Sequence, residues 1–534
     1  MYFNREDLQQ LTPEYIGGLP PQRRDALIEK LREDLIEAQD RLNQNPSNSS
    51  RPPSSRAPWD RSVEKNTESP DEECPEEPPK ECVDGDSSTG QQNGSSDEGN
   101  TAGSAECPKR KPGKQKGAKG FGRIQKLSVT QTVFHKPKCC KGCESEFDEG
   151  HQFNAKGGHY TVDLKVPEPG TVGLGVENTK HVYGSIRCEC GFETSTNPHR
   201  AYSDAEWGVE MGEWRLIGPV LLAFLVFLKT RMHLTVSKSR ELLAIWLGIS
   251  LSDGSINTAI REAGRAASSL EPQLLEALRA SELLNVDETA WKEHKVTRWF
   301  WAAIGDGVAY YTVGPRSCET ADKILAGFTG WLMTDGYGVY RHFEKRLRCW
   351  AHLERKAKAL EESWDKDAAS FGAYAVKTFR TLRERIYRMR EIKPAERSQE
   401  QSAWSQEQEA CDEDRLQLIM KCLDNNTAQH EATRAFAVEI LNDHKVIFQV
   451  IATPDLSLTN NRAERFLRNW VIARNMCHGS KTQEGSQAVA ILASVVDTLR
   501  MRGGALWQFV AQTIGLRRSG QAAPTLPPPL PAPS

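Results

Sequence analysis

The sequence predicts a multidomain, mainly α-helical chain that carries one mixed α/β core. Three features lead there. Apolar residues recur with helical spacing over much of residues 214–281 and again beyond residue 354. Between residues 283 and 351, short aromatic and β-branched runs alternate with turn signals, the mark of strands. Residues 45–120 are rich in Ser, Pro, Gly, Asn and Glu and cannot bury enough apolar surface to offset chain entropy.

At 534 residues the chain is too long for a single core, and roughly two to four domains are expected. The longest apolar run, residues 216–228, is broken by Gly218 and Pro219. It falls short of the ~20 residues a bilayer requires, so it reads as a buried helix, and no membrane partner is expected. The polar, acidic opening (Met1-Tyr2-Phe3-Asn4-Arg5-Glu6-Asp7) is no secretory signal and points to the cytoplasm. Thiols stay reduced there, so the thirteen cysteines are not a disulfide framework.

The net charge of −3 hides a division. Residues 64–106 hold thirteen acids and two bases, a local −11, which leaves +8 on the rest. Residues 107–143 hold no acid, while Lys109, Arg110, Lys111, Lys114, Lys116, Lys119, Arg123 and Lys126 follow closely. A basic arm beside an acidic tract fits a polyanion partner; a solvated linker is the plainer alternative.

Residues 1–44 are an N-terminal, zipper-like segment. Within a helix at 21–44, Ile28, Leu31, Leu35, Ala38 and Leu42 follow alternating steps of three and four. Such a short seam leaves dimerisation and packing elsewhere both open. Residues 45–129 are a disordered linker, acidic and then basic. Residues 130–205 read as a small zinc-ribbon-like β module. Its ligands would be Cys140, Cys143, Cys188 and Cys190, with Zn²⁺ in a structural role. The second pair is Cys-x-Cys, so Cys139, His151 or His159 could substitute. Residues 206–281 are helical. Helices at 239–247 and 252–266 around Gly248-Ile249-Ser250 suit a helix-turn-helix or an ordinary helical hairpin.

Residues 282–353 form the first part of the core. A strand at 283–287 precedes a hairpin, 296–304 and 308–313, that turns at Gly305-Asp306-Gly307. A helix at 320–327, strands at 330–335 and 347–351 and a helix at 353–360 follow. An antiparallel hairpin leading into parallel strands is the order of a ribonuclease-H-like sheet. Residues 354–455 read as a charged helical insertion. Residues 456–518 complete the core, with Glu464 on a helix at 461–474. A second helix at 486–500 sets Ala488, Ile491, Leu492, Val495 and Leu499 on one face. Residues 519–534 form a disordered Pro-rich tail.

This layout puts Asp287 at the end of the first strand and Asp335 at the end of the fourth, its neighbour. Adjacent parallel strands lie about 5 Å apart. Two carboxylates so close repel unless a cation sits between them, and Glu464 on the packed helix would complete the set. Hard oxygen donors with open positions favour two Mg²⁺ or Mn²⁺ ions, the equipment for cutting and rejoining a phosphodiester. Each acid also has a bland reading. Asp before Gly is commonly a turn residue, and Glu464 lies four positions before Arg468, which suits an exposed ion pair. Glu288 competes with Asp287. Arg462, Arg465 and Arg468, and further on Arg474 and Lys481, would hold phosphates with a salt-dependent affinity. His352 could touch a phosphate or cap local structure. Trp350 could stack on a base but reads better as a core residue.

The residues Lys111-Pro112-Gly113-Lys114-Gln115-Lys116-Gly117-Ala118-Lys119-Gly120, Val286-Asp287-Glu288-Thr289, Thr334-Asp335-Gly336-Tyr337, Cys349-Trp350-Ala351-His352 and Asn460-Asn461-Arg462-Ala463-Glu464-Arg465 together resemble the insertion sequence 66 family of transposases. The resemblance runs from about residue 21 to 510. It implies a bacterial, nucleoid-associated DNA transposase whose DDE-type core uses Asp287, Asp335 and Glu464. It implies binding of terminal inverted repeats and target DNA, and self-association into a dimer or larger synaptic complex. Small accessory proteins of the same element would be further partners. Two departures stand out. The Gly-Gln-Pro-Gly-His pattern of the family's linker is Lys114-Gln115-Lys116-Gly117-Ala118, and the second Cys-x-x-Cys pair is altered. A catalytically silent, transposase-derived DNA-binding protein or repressor is the alternative.

Overall fold

A computed structural model describes residues 10–42, 128–165, 174–196, 217–392 and 401–530. Near the N-terminus, α1 (Pro13–Gly18) leads into α2 (Pro21–Leu42). The seam of α2 is open at Ile28 and Leu35, which are 58% and 61% exposed. Its C-terminal end is docked instead. Asp40 accepts a 2.5 Å bond from the Ser363 hydroxyl and pairs with His430 at 3.1 Å. The helix therefore packs on the insertion through one end.

Four strands form the cysteine module: β1 (Gln131–His135), β2 (Phe153–Lys165), β3 (Gly175–Arg187) and β4 (Glu193–Ser195). Their order is β1-β3-β2, with β4 on β3. β1 runs parallel to β3, and the other pairs are antiparallel.

The apolar run becomes α3 (Pro219–Thr230), with Leu221, Leu222, Leu225 and Val226 fully buried. No helix among the described residues is long and apolar enough to cross a membrane. Next come α4 (Val236–Leu247), α5 (Asp253–Ser268) and α6 (Glu271–Arg279). α4 starts earlier than its apolar pattern predicts, because the Thr235 side chain accepts from Lys238 N–H and caps it. It ends at Gly248, whose φ of 64° is the left-handed conformation that stops helices. Ser252 caps α5 in the same way as Thr235 caps α4.

The second sheet contains β5 (Leu283–Glu293), β6 (Val296–Gly305), β7 (Val308–Gly314), β8 (Trp331–Thr334) and β9 (Arg346–Arg348), with α7 (Cys318–Leu325) before β8. The order is β7-β6-β5-β8-β9. β5, β6 and β7 are antiparallel neighbours; β5, β8 and β9 are parallel. Two strand ends correct the expectation. β5 does not stop at Asp287 but runs on to Glu293, because β6 pairs with it as far as Val296. β8 stops at Thr334, one residue short of Asp335.

The insertion consists of α8 (Trp350–Glu361), α9 (Lys366–Glu391), α10 (Gln401–Asn425), α11 (Glu431–Ile447) and α12 (Gln449–Ala452). It has its own apolar core, in which Trp350, Phe379, Leu382, Ile440 and Phe448 meet. Trp350 is 1% exposed and donates its ring N–H to Ile447 O at 2.8 Å, so it is a core residue and not a stacking platform.

Three helices close the chain: α13 (Asn461–Cys477), α14 (Gln483–Met501) and α15 (Leu506–Arg518). α14 crosses α5 so tightly that a Cβ on Gly264 would stand 2.5 Å from Ala488 Cβ. α14 also seals the edge strand β7. Ala309 N–H donates to Thr498 Oγ1 at 3.0 Å, and Tyr311 N–H donates to Ser494 Oγ at 2.8 Å. Edge N–H groups left bare would be costly and sticky.

The Pro-rich end departs from the expected disorder over residues 519–530. Leu526 is buried, and its N–H donates to Gln273 Oε1 at 2.9 Å. Gln273 Nε2 donates to Pro524 O at 3.2 Å, and Arg502 Nη1 donates to Pro527 O at 2.7 Å. An extended proline segment makes no internal hydrogen bonds, so its carbonyls are available to such donors.

Candidate active site

Parallel pairing matches Leu283, Leu284 and Asn285 of β5 with Trp331, Leu332 and Met333 of β8. Asp287 and Asp335 each lie two positions past the last pair of this ladder, Asp335 in the turn that follows β8. Strands in a ladder are about 4.8 Å apart. Asp335 Oδ1 accepts from Tyr337 N–H at 2.9 Å, which closes the turn after the strand. Gly336 allows that turn, with φ at 107°. The guanidinium of Arg348 lies so close that a Cβ there would meet it at 2.2 Å.

Glu464 sits in the first turn of α13. Asn460, fully buried before that helix, ties it to the sheet. Asn460 Nδ2 donates to Val286 O at 2.8 Å, its Oδ1 accepts from Asn285 Nδ2 at 3.1 Å, and its N–H donates to Cys349 Sγ at 3.2 Å. One residue, through its side chain and its backbone N–H, thus joins the strand of Asp287, the start of the Glu464 helix and the turn into α8.

The acids share one electrostatic neighbourhood. Burial raises the Asp287 carboxyl well above its ordinary range, and Asp335, Glu288 and Glu464 raise it further against the Glu288 N–H. Glu288 is pushed up to about 7 by burial and by Asp335, against the pull of Arg316 and Tyr340. Arg316 pairs with Glu288 at 2.8 Å and lies over the rings of Trp299 and Tyr337, at 4.3 and 3.9 Å. Such a concentration of negative charge is relieved by protons or by a cation.

Glu464 does not pair with Arg468. Its Oε1 accepts from Arg355 Nη2 at 3.2 Å and lies 3.6 Å from His352 Nδ1. The side-chain ligand atoms of Cys349, His352 and Glu464 all fall within 4.8 Å of one another, and Asp287 and Asp335 stand outside that set. The carboxylates of Asp287, Asp335 and Glu464 are the hard oxygen donors here, the type that fits Mg²⁺ or Mn²⁺.

The predicted phosphate-binding residues divide. Lys109, Arg110, Lys111, Lys114, Lys116, Lys119 and Arg123 lie outside the described residues. Arg465 and Arg468 are exposed on α13. Arg462 is engaged with the β6–β7 turn, meeting Asp306 at 3.1 Å and Gly305 O at 2.8 Å. Arg474 donates to Thr289 Oγ1 and Ala290 O, at 2.9 and 2.7 Å. His352 faces Glu464. Motif reading did not single out Arg316, Arg348 or Arg355, because only the tertiary fold brings them to the acids.

A second cluster lies in the cysteine module. Cys140, Cys143, Cys188 and Cys190 have all four sulfurs within 4.8 Å. Cys140 and Cys190 are 3.7 Å apart, and Cys143 and Cys188 are 3.5 Å apart. Four thiolates around one zinc ion stand about 3.8 Å apart, so the donor set fits. Hydrogen bonds from Ser145 bring Cys143 down to about 6. Despite the Cys190 N–H, burial and the neighbouring thiols push Cys188 up to about 12. The substitute ligands are engaged elsewhere: His151 bonds Asp148 at 2.7 Å, and His159 stacks on His181 at 4.6 Å. Cys139 is exposed and forms a β-bridge with Glu146.

Comparison with known proteins bears on the acidic site. "Uncharacterized protein y4qI" of Sinorhizobium fredii (strain NBRC 101917 / NGR234) is 24% identical over 307 residues, which cover 52% of this chain and 53% of that protein. The chain thus spans about half the length of the curated relative it matches. The family described as "Transposase IS66 family" matches residues 215–488, a span that contains Asp287, Asp335 and Glu464 and leaves out the cysteine module. That match covers just over half of the 534 residues, and the chain belongs to the IS66 transposase family.

Proposed function

We propose that this chain is a DDE-type DNA transposase, with a ribonuclease-H-like core in the second sheet and Asp287, Asp335 and Glu464 as its catalytic carboxylates. One observation carries the reading. The buried Asp287 carboxyl of β5 feels the charges of Asp335, just past β8, and of Glu464, at the start of α13, which with burial raise its proton affinity, while Asn460 ties the Glu464 helix to β5. Family membership supports the same chemistry.

The side chains have distinct tasks. Asp287 and Asp335, on neighbouring parallel strands, face the reacting phosphate. Glu464 approaches from the helix, aligned by Asn460. Two bound Mg²⁺ or Mn²⁺ ions would supply Lewis-acid activation of the attacking oxygen and stabilise the departing one. Water adds to phosphorus, and the 3′ oxygen leaves as a hydroxyl. That 3′ oxygen then attacks a target phosphodiester and displaces another 3′ oxygen, so the bond count is conserved. Arg465 and Arg468 would hold DNA phosphates.

In the same reading the cysteine module is a zinc ribbon, and α4–α5 form a helix-turn-helix. With the basic linker they bind the terminal inverted repeats. The working form is a dimer or larger assembly in the bacterial cytoplasm, helped by small accessory proteins of the element.

The experiment is cleavage and strand transfer on repeat DNA. Asp335→Asn should lower Mg²⁺-dependent cleavage by about a thousandfold or more, because losing a charge that holds an activating ion removes several kcal/mol. Binding to the repeat should stay nearly unchanged. Wild-type cleavage by this variant would remove Asp335 from the site. A wild-type chain that binds repeats but never cuts them would be a silent, DNA-binding derivative.

A further inference from the structure

His352 lies in the first turn of α8 and is 9% exposed. Its Nδ1 is buried and has no hydrogen-bond partner among the described residues. Leaving a buried ring nitrogen unsatisfied costs free energy, and such a group calls for a missing partner. Glu464 Oε1 stands 3.6 Å from it. That is too long for a hydrogen bond. It is slightly wider than the roughly 3.0–3.5 Å between two donors about 2.1 Å from a shared cation, a gap that a small movement of the Glu464 side chain closes. Cys349, the third member of this group, is already engaged as acceptor of the Asn460 N–H at 3.2 Å.

Arg355 holds the Glu464 carboxylate in place. One turn further along α8, it donates Nε to Ala351 O at 3.1 Å and Nη2 to Glu464 Oε1 at 3.2 Å. It keeps the carboxylate beside His352 but leaves Nδ1 unserved.

We propose that His352 Nδ1 is a nitrogen ligand of the divalent cation held by Glu464, which makes that position a mixed nitrogen–oxygen site. The proposal rests on the transposase reading for the presence of the cation. It changes which metal the site prefers. An all-carboxylate set suits Mg²⁺, whereas an imidazole in the shell shifts preference toward Mn²⁺ and later first-row ions. The role is distinct from phosphate contact, which would use the outward ring edge and leave Nδ1 bare.

The test is pulsed electron paramagnetic resonance on the full chain with Mn²⁺, read for coupling to a directly bound imidazole nitrogen. The wild type should show that coupling, and His352→Gln and Glu464→Gln should lose it. His352→Gln should also weaken Mn²⁺ binding by roughly tenfold or more, the scale on which even groups that merely support a ligand act, with a smaller effect on Mg²⁺. The wild-type spectrum carries the test even if a variant folds poorly. Mn²⁺ that binds and is lost in Glu464→Gln, but shows no nitrogen coupling, would overturn the role of His352 and leave the carboxylate reading standing. Coupling that persists in His352→Gln would also overturn it. Mn²⁺ binding indifferent to Glu464→Gln would sink both.

Discussion

In the cysteine module four sulfurs stand within 4.8 Å of one another, whereas Glu464 shares that range with His352 and Cys349 and not with the two aspartates. The local chain accounts for the difference. Cys140 N–H donates to Ser145 O and Glu144 N–H to Cys140 O; Cys188 N–H donates to Phe192 O and Gly191 N–H to Cys188 O. Two tight turns therefore set the sulfurs before any ion arrives. The carboxylates come from separate elements, and two of them, Glu288 and Glu464, lean on the guanidinium groups of Arg316 and Arg355. Preset donors suit an ion that stays. Donors with replaceable partners suit ions that arrive together with a charged substrate.

The largest effect that sharpens this contrast is loss of zinc. Cys188→Ser should reduce bound zinc from about one per chain to near zero in a metal assay, since a structural site needs all four ligands. Mn²⁺ binding at the acidic site should be unchanged. Parallel loss of both would erase the distinction between the regions. The next effect is on the seam that joins the acids. Asn460→Ala removes two buried hydrogen bonds, those with Val286 O and Asn285 Nδ2, and strands their partners, at a cost of about 2–4 kcal/mol in urea unfolding. A variant as stable as wild type would mean that Asn460 does not hold the helix to the sheet.

The smallest effect concerns pH. Glu288 is raised from 4.5 to about 7 in the folded chain, so folding takes up a proton there. That contribution is complete below about pH 4.5 and is lost as pH rises through about 7. In magnesium-free buffer, Glu288→Gln should flatten the fall in stability across this window. An unchanged slope would show that Glu288 is ionised throughout.

Much of the fold could be read from local pattern. The hairpin at Gly305-Asp306-Gly307, the start of α5 at Ser252 and the apolar face of α14 depend on neighbours in sequence, where spacing is informative, whereas the apolar pattern missed the Thr235 cap of α4. The four clustered sulfurs are those that the paired turns single out. The extension of β5 past Asp287 could not be read, because it depends on β6 continuing while β8 has ended. Nor could the partners of Glu464. Arg355 is separated from it by 109 positions, and the local alternative, Arg468, was the only pairing visible in sequence. The tail was legible as extended but not as docked, since Gln273 and Arg502 are distant in the chain.

The two margins of the five-stranded sheet both meet helices. Ser494 and Thr498 occupy the outer backbone of β7, and on β9 the side chains of Arg346 and Arg348 are drawn onto Asp443 of α11. A strand added beside β7 would therefore first have to displace α14 from the backbone N–H groups it occupies.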